Sequence, residues 1–476
     1  MKPKVIFYQQ YGTPYFGVIS LMSYLSFHGI KSDVIIQSFE SDPLHKIQEL
    51  SPAIIGISVL STEHLWLKKT VHELKKILPH SLIIAGGMHA ILYPEDILQS
   101  TEADLVCNSE GEDVLLNVMN ELDKPSPDWK EIKGLTFRDK NGNIHSNERA
   151  PLFSFRDDFI ENRETYFARY PQLAKEGVHR FMSSRGCPNR CSFCYNDKIH
   201  DLFKGKGSYV RKKSPENFVR EIEAQHNVHK LNTIYFFDDV FTLDEAWLES
   251  FTRLYKQRIN IQFVCITTAN LLTENKVKLL KNAGCITISF GLESGNQELR
   301  ETILKRFISD DHLIRCGNLI NKYGLQSLTT NMFCLPTETA AKAFQTIELN
   351  IKAKVSFFTS SIFVPFPNLM ITDYCINAGI LKPDWSLNNL PRSFRSYDSC
   401  IDLKDRDLII NIHFLAYFFV RYPWFYKFFR NIVHFKFLKR LFYYIFSFSS
   451  IIQHKHERKV TWYQTFAYAW RMRNSF

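Results

Sequence analysis

The chain has 476 residues, more than one ordinary domain of about 100–200 residues holds, so two or three folded units are expected. Hydrophobic residues make up 45% and charged residues 23%, which excludes wholesale disorder. The net charge of +10 is a C-terminal feature: from Asn411 to Phe476 eleven Lys and Arg face one acid, Glu457, and residues 1–410 balance to zero. The same tail holds 23 of the 68 Phe, Trp and Tyr residues. No apolar segment of signal-peptide length opens the chain, and no run reaches the roughly 18 residues of a spanning helix, so a cytoplasmic protein is expected. Ten cysteines in a chain this long do not make a small disulfide scaffold, and clustered ones point to metal or redox chemistry.

Residues 1–125 alternate short β-branched runs with helical patterns. The spacing predicts strands over Val5–Gln9, Val34–Gln37, Ile54–Val59, Leu82–Ala85 and Asp104–Cys107, with helices near 16–28, 63–77 and 113–122. This rhythm predicts an α/β fold, a doubly wound, Rossmann-like parallel sheet whose ligand site lies at the carboxyl ends of its strands. Gly86-Gly87 follow the fourth strand, where backbone approaches a ligand or turns sharply. Residues 126–175 read as a linker with a small hairpin around Asn141-Gly142. Residues 176–400 resume the alternation, with strands near Phe181–Ser183, Thr233–Phe237, Gln262–Thr267, Ile286–Phe290, Ser327–Phe333 and Ser356–Phe363. Ser214, Thr273 and Ser309 open helices there, and Gly284 and Gly324 close them. Six strands so spaced predict a partial (βα)6 barrel of the TIM type, with its chemistry on the loops after the strands.

On the first of those loops stand Cys187, Cys191 and Cys194, at spacing C-x3-C-x2-C. Three thiolates from one loop can converge on a metal centre, and thiolates are the preferred ligands of iron–sulfur clusters. Structural zinc takes four ligands, commonly two C-x2-C pairs, and no second pair follows. Cys265, Cys285, Cys316 and Cys334 are isolated in strand or helix patterns. Spacing favours iron–sulfur and leaves zinc as the alternative.

With Phe193 before its last cysteine, this segment resembles the signature of the radical S-adenosylmethionine superfamily. The resemblance implies a [4Fe-4S] cluster on Cys187, Cys191 and Cys194, whose open iron chelates S-adenosylmethionine and whose electron releases a 5′-deoxyadenosyl radical. It extends to Asp238 and Asp239 after the second strand, implied to receive the cofactor's ammonium group, and to Gly291-Leu292-Glu293-Ser294-Gly295, which looks like the family's G-x-E-S-G and puts Glu293 on the ribose. Lys305-Arg306 follow. Cys334-Leu335-Pro336-Thr337-Glu338-Thr339 resembles G-L-P-G-E-T with both glycines replaced.

In the first sheet, Gly86-Gly87-Met88-His89 and Glu110-Gly111-Glu112 look like the cobalamin-binding domain that precedes many such barrels. Glycines and small polar residues at strand ends suit a large, phosphate-bearing ligand. The resemblance implies cobalamin among Ser58, Ser61, Thr62, Gly86, Gly87, His89, Glu110, Gly111 and Glu112. No D-x-H-x-x-G is present, so His89 reads as a wall or hydrogen-bonding residue and not as a cobalt ligand.

Residues 401–476 are expected to form an aromatic, basic helical extension. Taken as one helix, 424–447 scatters Lys427, Arg430, Lys436, Lys439 and Arg440 around its circumference, whereas a membrane-surface helix segregates its charges. An extension that packs against the barrel and closes its open side is the leading reading, with peripheral membrane contact through 411–476 and single-stranded nucleic acid as alternatives. Together these readings predict a cobalamin-dependent radical S-adenosylmethionine enzyme, a methyltransferase acting on an unactivated carbon. A cyclase or rearrangement enzyme of the same superfamily is the first alternative, and a zinc-bearing nucleic-acid-binding protein is the alternative from another class. Expected partners are a small-molecule substrate, hydrophobic or lipid-like as one option, and an external electron donor, with no nucleic acid.

Overall fold

A computed structural model describes residues 4–391, 397–458, 460–462 and 465; the remainder of the expected 401–476 extension lies outside them. Strands β1 (Val5–Gln9), β2 (Ser32–Ile36), β3 (Ile54–Ser58), β4 (Leu82–Gly86) and β5 (Leu105–Cys107) form a parallel sheet in the order 2-1-3-4-5. Their runs are apolar throughout because both faces are covered. Val5, Phe7, Val34 and Ile54 pack on one side. Ile6, Tyr8, Ile35 and Ile55 pack on the other. Strand order reverses between β1 and β3, so the loops after these strands open into the crevice where doubly wound sheets bind ligands.

The hairpin expected in the linker belongs instead to this sheet. Strands β6 (Leu135–Arg138) and β7 (Ile144–Ser146) continue it antiparallel beyond β5, with Leu135 and Phe137 in its core. The tip is as read: Gly142 has φ +86°, and the Asp139 carboxylate accepts the backbone N–H groups of Asn141 and Asn143 at 2.9 and 2.8 Å.

Strand β8 (Val178–Phe181) opens the second unit, followed by β9 (Ser184–Arg185) and β10 (Arg211–Lys212), which pair antiparallel. Then come β11 (Thr233–Phe236), β12 (Gln262–Thr267), β13 (Cys285–Glu293), β14 (Gln326–Phe333) and β15 (Phe357–Ile362). With β8 they make a six-stranded parallel half-barrel in sequence order. Phe236, Phe263, Ile288 and Phe333 face the surrounding helices, and the alternate residues face the concave interior. Strand β8 ends at Phe181 and not at the predicted Ser183. There Ser183 leaves the ladder: its N–H lies 3.1 Å and its hydroxyl 2.5 Å from the Asp238 carboxylate, which also accepts the Ser184 hydroxyl. Ser214, Thr273 and Ser309 cap their helices through side-chain oxygens, and Gly284 and Gly324 end theirs at φ +100° and +64°.

Beyond the barrel, the Arg406–Arg421 helix packs along β15, with His413 Nδ1 2.9 Å from Ser360 Oγ. The single helix expected across 424–447 is not formed. A short helix (Pro423–Phe429) leads into 3-10 turns (Arg430–His434 and Lys436–Leu438), and the Lys439–Arg458 helix follows. The chain breaks there because Val433 is buried, its carbonyl taken by the Asn411 amide at 2.8 Å. The last helix descends across the concave side. Gln453 Nε2 donates to Thr359 of β15 at 2.6 Å, Thr287 of β13 donates to the Glu457 carbonyl at 2.9 Å, and Val460 packs with Val178, Tyr235 and Val264. Among the described residues, no helix is long and apolar enough to cross a membrane.

Candidate active site

The loop after β9 carries the three cysteines, all free, with Cys191 buried and the other two partly exposed. Gly186 starts it at φ +88°, where a Cβ would fall 2.3 Å from the Tyr209 carbonyl oxygen, so only glycine fits. Ser192 anchors the middle: its N–H donates to the Leu304 carbonyl at 3.1 Å and its hydroxyl to the Ile303 carbonyl at 2.6 Å. Phe193 packs among Leu304, Leu335 and Phe363, an apolar wedge under the loop.

Each thiol faces a nitrogen donor. Asn189 Nδ2 lies 3.6 Å from Cys187 Sγ, Asn196 Nδ2 lies 3.7 Å from Cys194 Sγ, and Arg306 Nη1 lies 3.8 Å from Cys191 Sγ. The first two repeat one sequence signal, Cys-x-Asn. Burial pushes all three thiols up, Cys194 to about 12, so each must lose its proton on binding metal. Arg306 also holds the Gly291 carbonyl at 2.9 Å, and its Nε is buried without a hydrogen-bond partner. Among the described residues no three His, Cys, Asp or Glu side chains close on a single metal ion. A four-iron cluster takes one thiolate per iron, so its ligands stand wider apart than those of one ion. The donor set, three free thiols with N–H groups aimed at sulfur, fits such a cluster.

The two predicted aspartates part company. Asp238 is spent on Ser183 and Ser184, inside the fold. Asp239 reaches the cysteine side, where Asn196 Nδ2 donates to it at 3.3 Å. It is open to solvent, and partial desolvation by its surroundings raises its carboxyl above the ordinary value, with Asp238 adding to the shift. Across the concavity, Glu293 sits at φ +68° with its carboxylate folded over Gly291, where a Cβ would lie 2.2 Å from Oε1. Burial raises the Glu293 carboxyl, and Arg306 and Thr330 partly offset it. Cys334 and Thr337, in place of glycines, still adopt φ +58° and +64°.

In the first sheet, Ser58, Ser61, Thr62, Gly86, Gly87 and His89 gather at the ends of β3 and β4. Gly87, at φ +86°, leaves no room for a Cβ, which would stand 2.8 Å from Ser58 Oγ. His89 is buried, its Nδ1 3.2 Å from Ser61 Oγ, and desolvation lowers it to about 3, so it stays neutral. The Tyr195 hydroxyl, one residue past Cys194, is buried beside Ser61 and Tyr93 without reaching hydrogen-bond geometry. The Tyr93 hydroxyl in turn donates to the Pro367 carbonyl at 2.6 Å, and the Phe16 and Phe237 rings lie 6.0 Å apart. The carboxyl ends of the two sheets therefore face each other, with the cysteine loop between them. This cradle of strand ends, open backbone and small hydroxyls fits a corrin and its nucleotide tail.

Glu110 and Glu112, expected beside the corrin, turn to the barrel instead. Arg185 Nη2 donates to Glu112 at 2.6 Å and Arg211 Nη2 to Glu110 at 2.7 Å, while Ser20 and the Phe153 N–H complete their partners. Burial alone would raise the Glu112 carboxyl, but Arg185 outweighs it and holds the group below the ordinary value. Gly111 lies between them against Leu21. Because Arg185 stands two residues before Cys187, these pairs tie the cysteine loop to the first sheet.

The Radical SAM superfamily model matches residues 181–349, and the B12 binding domain model matches 10–119. The chain belongs to the radical SAM superfamily, with a B12-binding domain before its barrel. An uncharacterized methyltransferase of Pyrococcus horikoshii is 26% identical over 370 residues, 76% of this chain and 77% of that one. An anaerobic magnesium-protoporphyrin IX monomethyl ester cyclase of Rubrivivax gelatinosus is 22% identical, over 74% of this chain and 64% of its own length. Among solved structures, the radical S-adenosylmethionine methyltransferase TsrM from Kitasatospora setae, with cobalamin and a [4Fe-4S] cluster bound, superimposes with a TM-score of 0.66 at 15% identity, over 79% of this chain and 75% of that one. This radical SAM enzyme thus takes a [4Fe-4S] cluster, S-adenosylmethionine and cobalamin, in a family that includes methyltransferases and a cyclase.

Proposed function

We propose that the chain is a cobalamin-dependent methyltransferase that adds a methyl group to an unactivated carbon of a small molecule. When bound, the cluster supplies the electron that cleaves S-adenosylmethionine and the corrin carries the methyl group. Cys187, Cys191 and Cys194 would hold the cluster, with Asn189, Asn196 and Arg306 donating to their sulfurs. Asp239 would take the ammonium group of S-adenosylmethionine and Glu293 its ribose, and Asp238 acts through Ser183 and Ser184 as a positioning residue. Ser58, Ser61, Thr62, Gly86, Gly87 and His89 would line the corrin, while Tyr195 and Phe193 exclude water around the loop. The observation that carries the reading is the apposition of the two strand-end sites across Tyr195, which would bring substrate, cluster and corrin together. An external donor supplies the electron.

The test is anaerobic reconstitution with iron, sulfide and cobalamin, then incubation with reductant and S-adenosylmethionine labelled in its methyl group. Corrin and cluster absorbance with cleavage of the sulfonium is expected, and with substrate, labelled product. Failure of a sample with verified cluster and corrin to cleave S-adenosylmethionine would sink the proposal. The cyclase relatives favour a second reading, which predicts 5′-deoxyadenosine with unlabelled, unmethylated product.

A further inference from the structure

Nine of the nineteen large apolar side chains exposed among the described residues lie between Tyr422 and Phe448. Trp424 is 60%, Phe428 71%, Phe437 81% and Phe448 59% exposed, a density well beyond the single exposed rings of an ordinary surface. On the Lys439–Arg458 helix, Leu441, Tyr444 and Phe448 recur at helical spacing and point outward, while Phe442 and Phe446 on another side are buried against the barrel. That helix is apolar on two sides, and only one is used by the fold.

Within the segment the charges have one sign, and acids reach it only from outside, Asp407 on Lys436 and Asp398 on Lys439. No Asp or Glu occurs between Asp407 and Glu457, and Lys427, Arg430, Lys436 and Arg440 are exposed among the aromatics. Lys427 Nζ lies 5.8 Å from the centre of the Phe428 ring. Scatter of these cations around a single helix would argue against a membrane face, but the segment is a short helix, two 3-10 turns and the start of a longer helix, so one helical wheel does not describe it.

We propose that the segment from Tyr422 to Phe448 is a docking surface for an anionic lipid bilayer. Aromatic rings settle at the headgroup level and lysine and arginine meet the lipid phosphates, a pairing of groups that matches both the exposed rings and the excess of positive charge. Charge complementarity selects this occupant. A second copy of the chain would set basic surface against basic surface, and a neutral apolar partner would leave Lys427, Arg430 and Arg440 without a counter-charge, Lys436 being paired with Asp407 at 3.6 Å. The inference rests on this surface alone and holds whichever reaction the site performs.

The test is co-sedimentation of the reconstituted holoenzyme with vesicles of phosphatidylcholine alone or containing phosphatidylglycerol. Partition onto the anionic vesicles is expected to exceed that onto neutral ones by about ten-fold and to weaken in high salt. Combined Trp424→Ser, Phe428→Ser and Phe437→Ser should lower the anionic partition by about ten-fold, and so should Lys427→Glu with Arg440→Glu. Both variants should keep the wild-type melting curve and cleavage of S-adenosylmethionine. Equal recovery with and without vesicles overturns the proposal, as does a variant with a native melt that sediments like wild type. Three further results overturn it too: a two-chain mass by light scattering that these substitutions return to one chain, retention on single-stranded DNA without vesicle binding, and partition indifferent to lipid charge.

Discussion

The two edges of the half-barrel are closed by different chemistry. At the β8 edge the contacts are ionic and buried: Lys213 bridges Glu161 and Glu221 at 3.1 and 2.6 Å, Arg163 adds Glu221 at 3.3 Å, and Arg185 and Arg211 hold Glu112 and Glu110. At the β15 edge the Arg406–Arg421 and Lys439–Arg458 helices bury Phe414, Phe419, Phe442 and Phe446. Buried ion pairs contribute little net stability but penalise every arrangement that separates them, whereas apolar burial stabilises without regard to register. The ionic side is where the cysteine loop must be aimed at the first sheet. The apolar side only has to keep the concavity closed from below.

The comparison predicts its own failures. Glu221→Ala, which strands Arg163 and half of Lys213 in the interior, should cost about 3–5 kcal/mol in a urea melt; a loss under about 1 kcal/mol would mean the ionic edge is not closed in solution. Phe414→Ala on the apolar edge should cost about 3–5 kcal/mol as well, with the cysteine loop undisturbed, so iron content per folded chain stays at the wild-type value. Glu112→Gln should cost about 2 kcal/mol and, unlike Phe414→Ala, should change the spectrum of the reconstituted cluster, because Arg185, two residues from Cys187, loses the nearer of its two charged partners and keeps only Glu110 at 3.5 Å.

The apolar side also buries Glu338 without a partner for its Oε1, and desolvation raises its carboxyl to about 8. The folded state then keeps a proton that the unfolded chain has already released, so stability should fall as pH rises from about 4.5 to about 8. Glu338→Gln should flatten that fall in thermal melts across the window, and an unchanged slope removes Glu338 from the account. The smallest effect belongs to Thr337, exposed and β-branched at φ +64°. Thr337→Gly should raise stability by up to about 1 kcal/mol, read as a small increase in melting temperature.

Much of this was legible in residue order. Apolar runs such as Val5–Gln9 and Gln262–Thr267 mark buried parallel strands, and the C-x3-C-x2-C spacing points to a metal or redox centre, while G-x-E-S-G was legible only through its family resemblance. Strand parity separates Asp238 from Asp239: Asp238 keeps the phase of Phe236, which packs on the helices, and Asp239 that of Phe237, which faces the concavity. Cys-x-Asn, twice, was also there to be read. The arginine partners of Glu112 and Glu110 were not legible, because a carboxylate near a strand end serves a ligand or an arginine equally well, and those arginines lie 73 and 101 residues away.

Residue order by itself determined the two parallel sheets, the cysteine loop and the confinement of the net charge to the tail, because each depends on local periodicity, local spacing or composition. Tertiary structure alone decided that the strand ends face each other, that two acids clamp the loop and that the basic aromatic segment breaks into short elements with its rings exposed. Those outcomes depend on which distant groups compete for the same buried partner, a choice that no local pattern encodes.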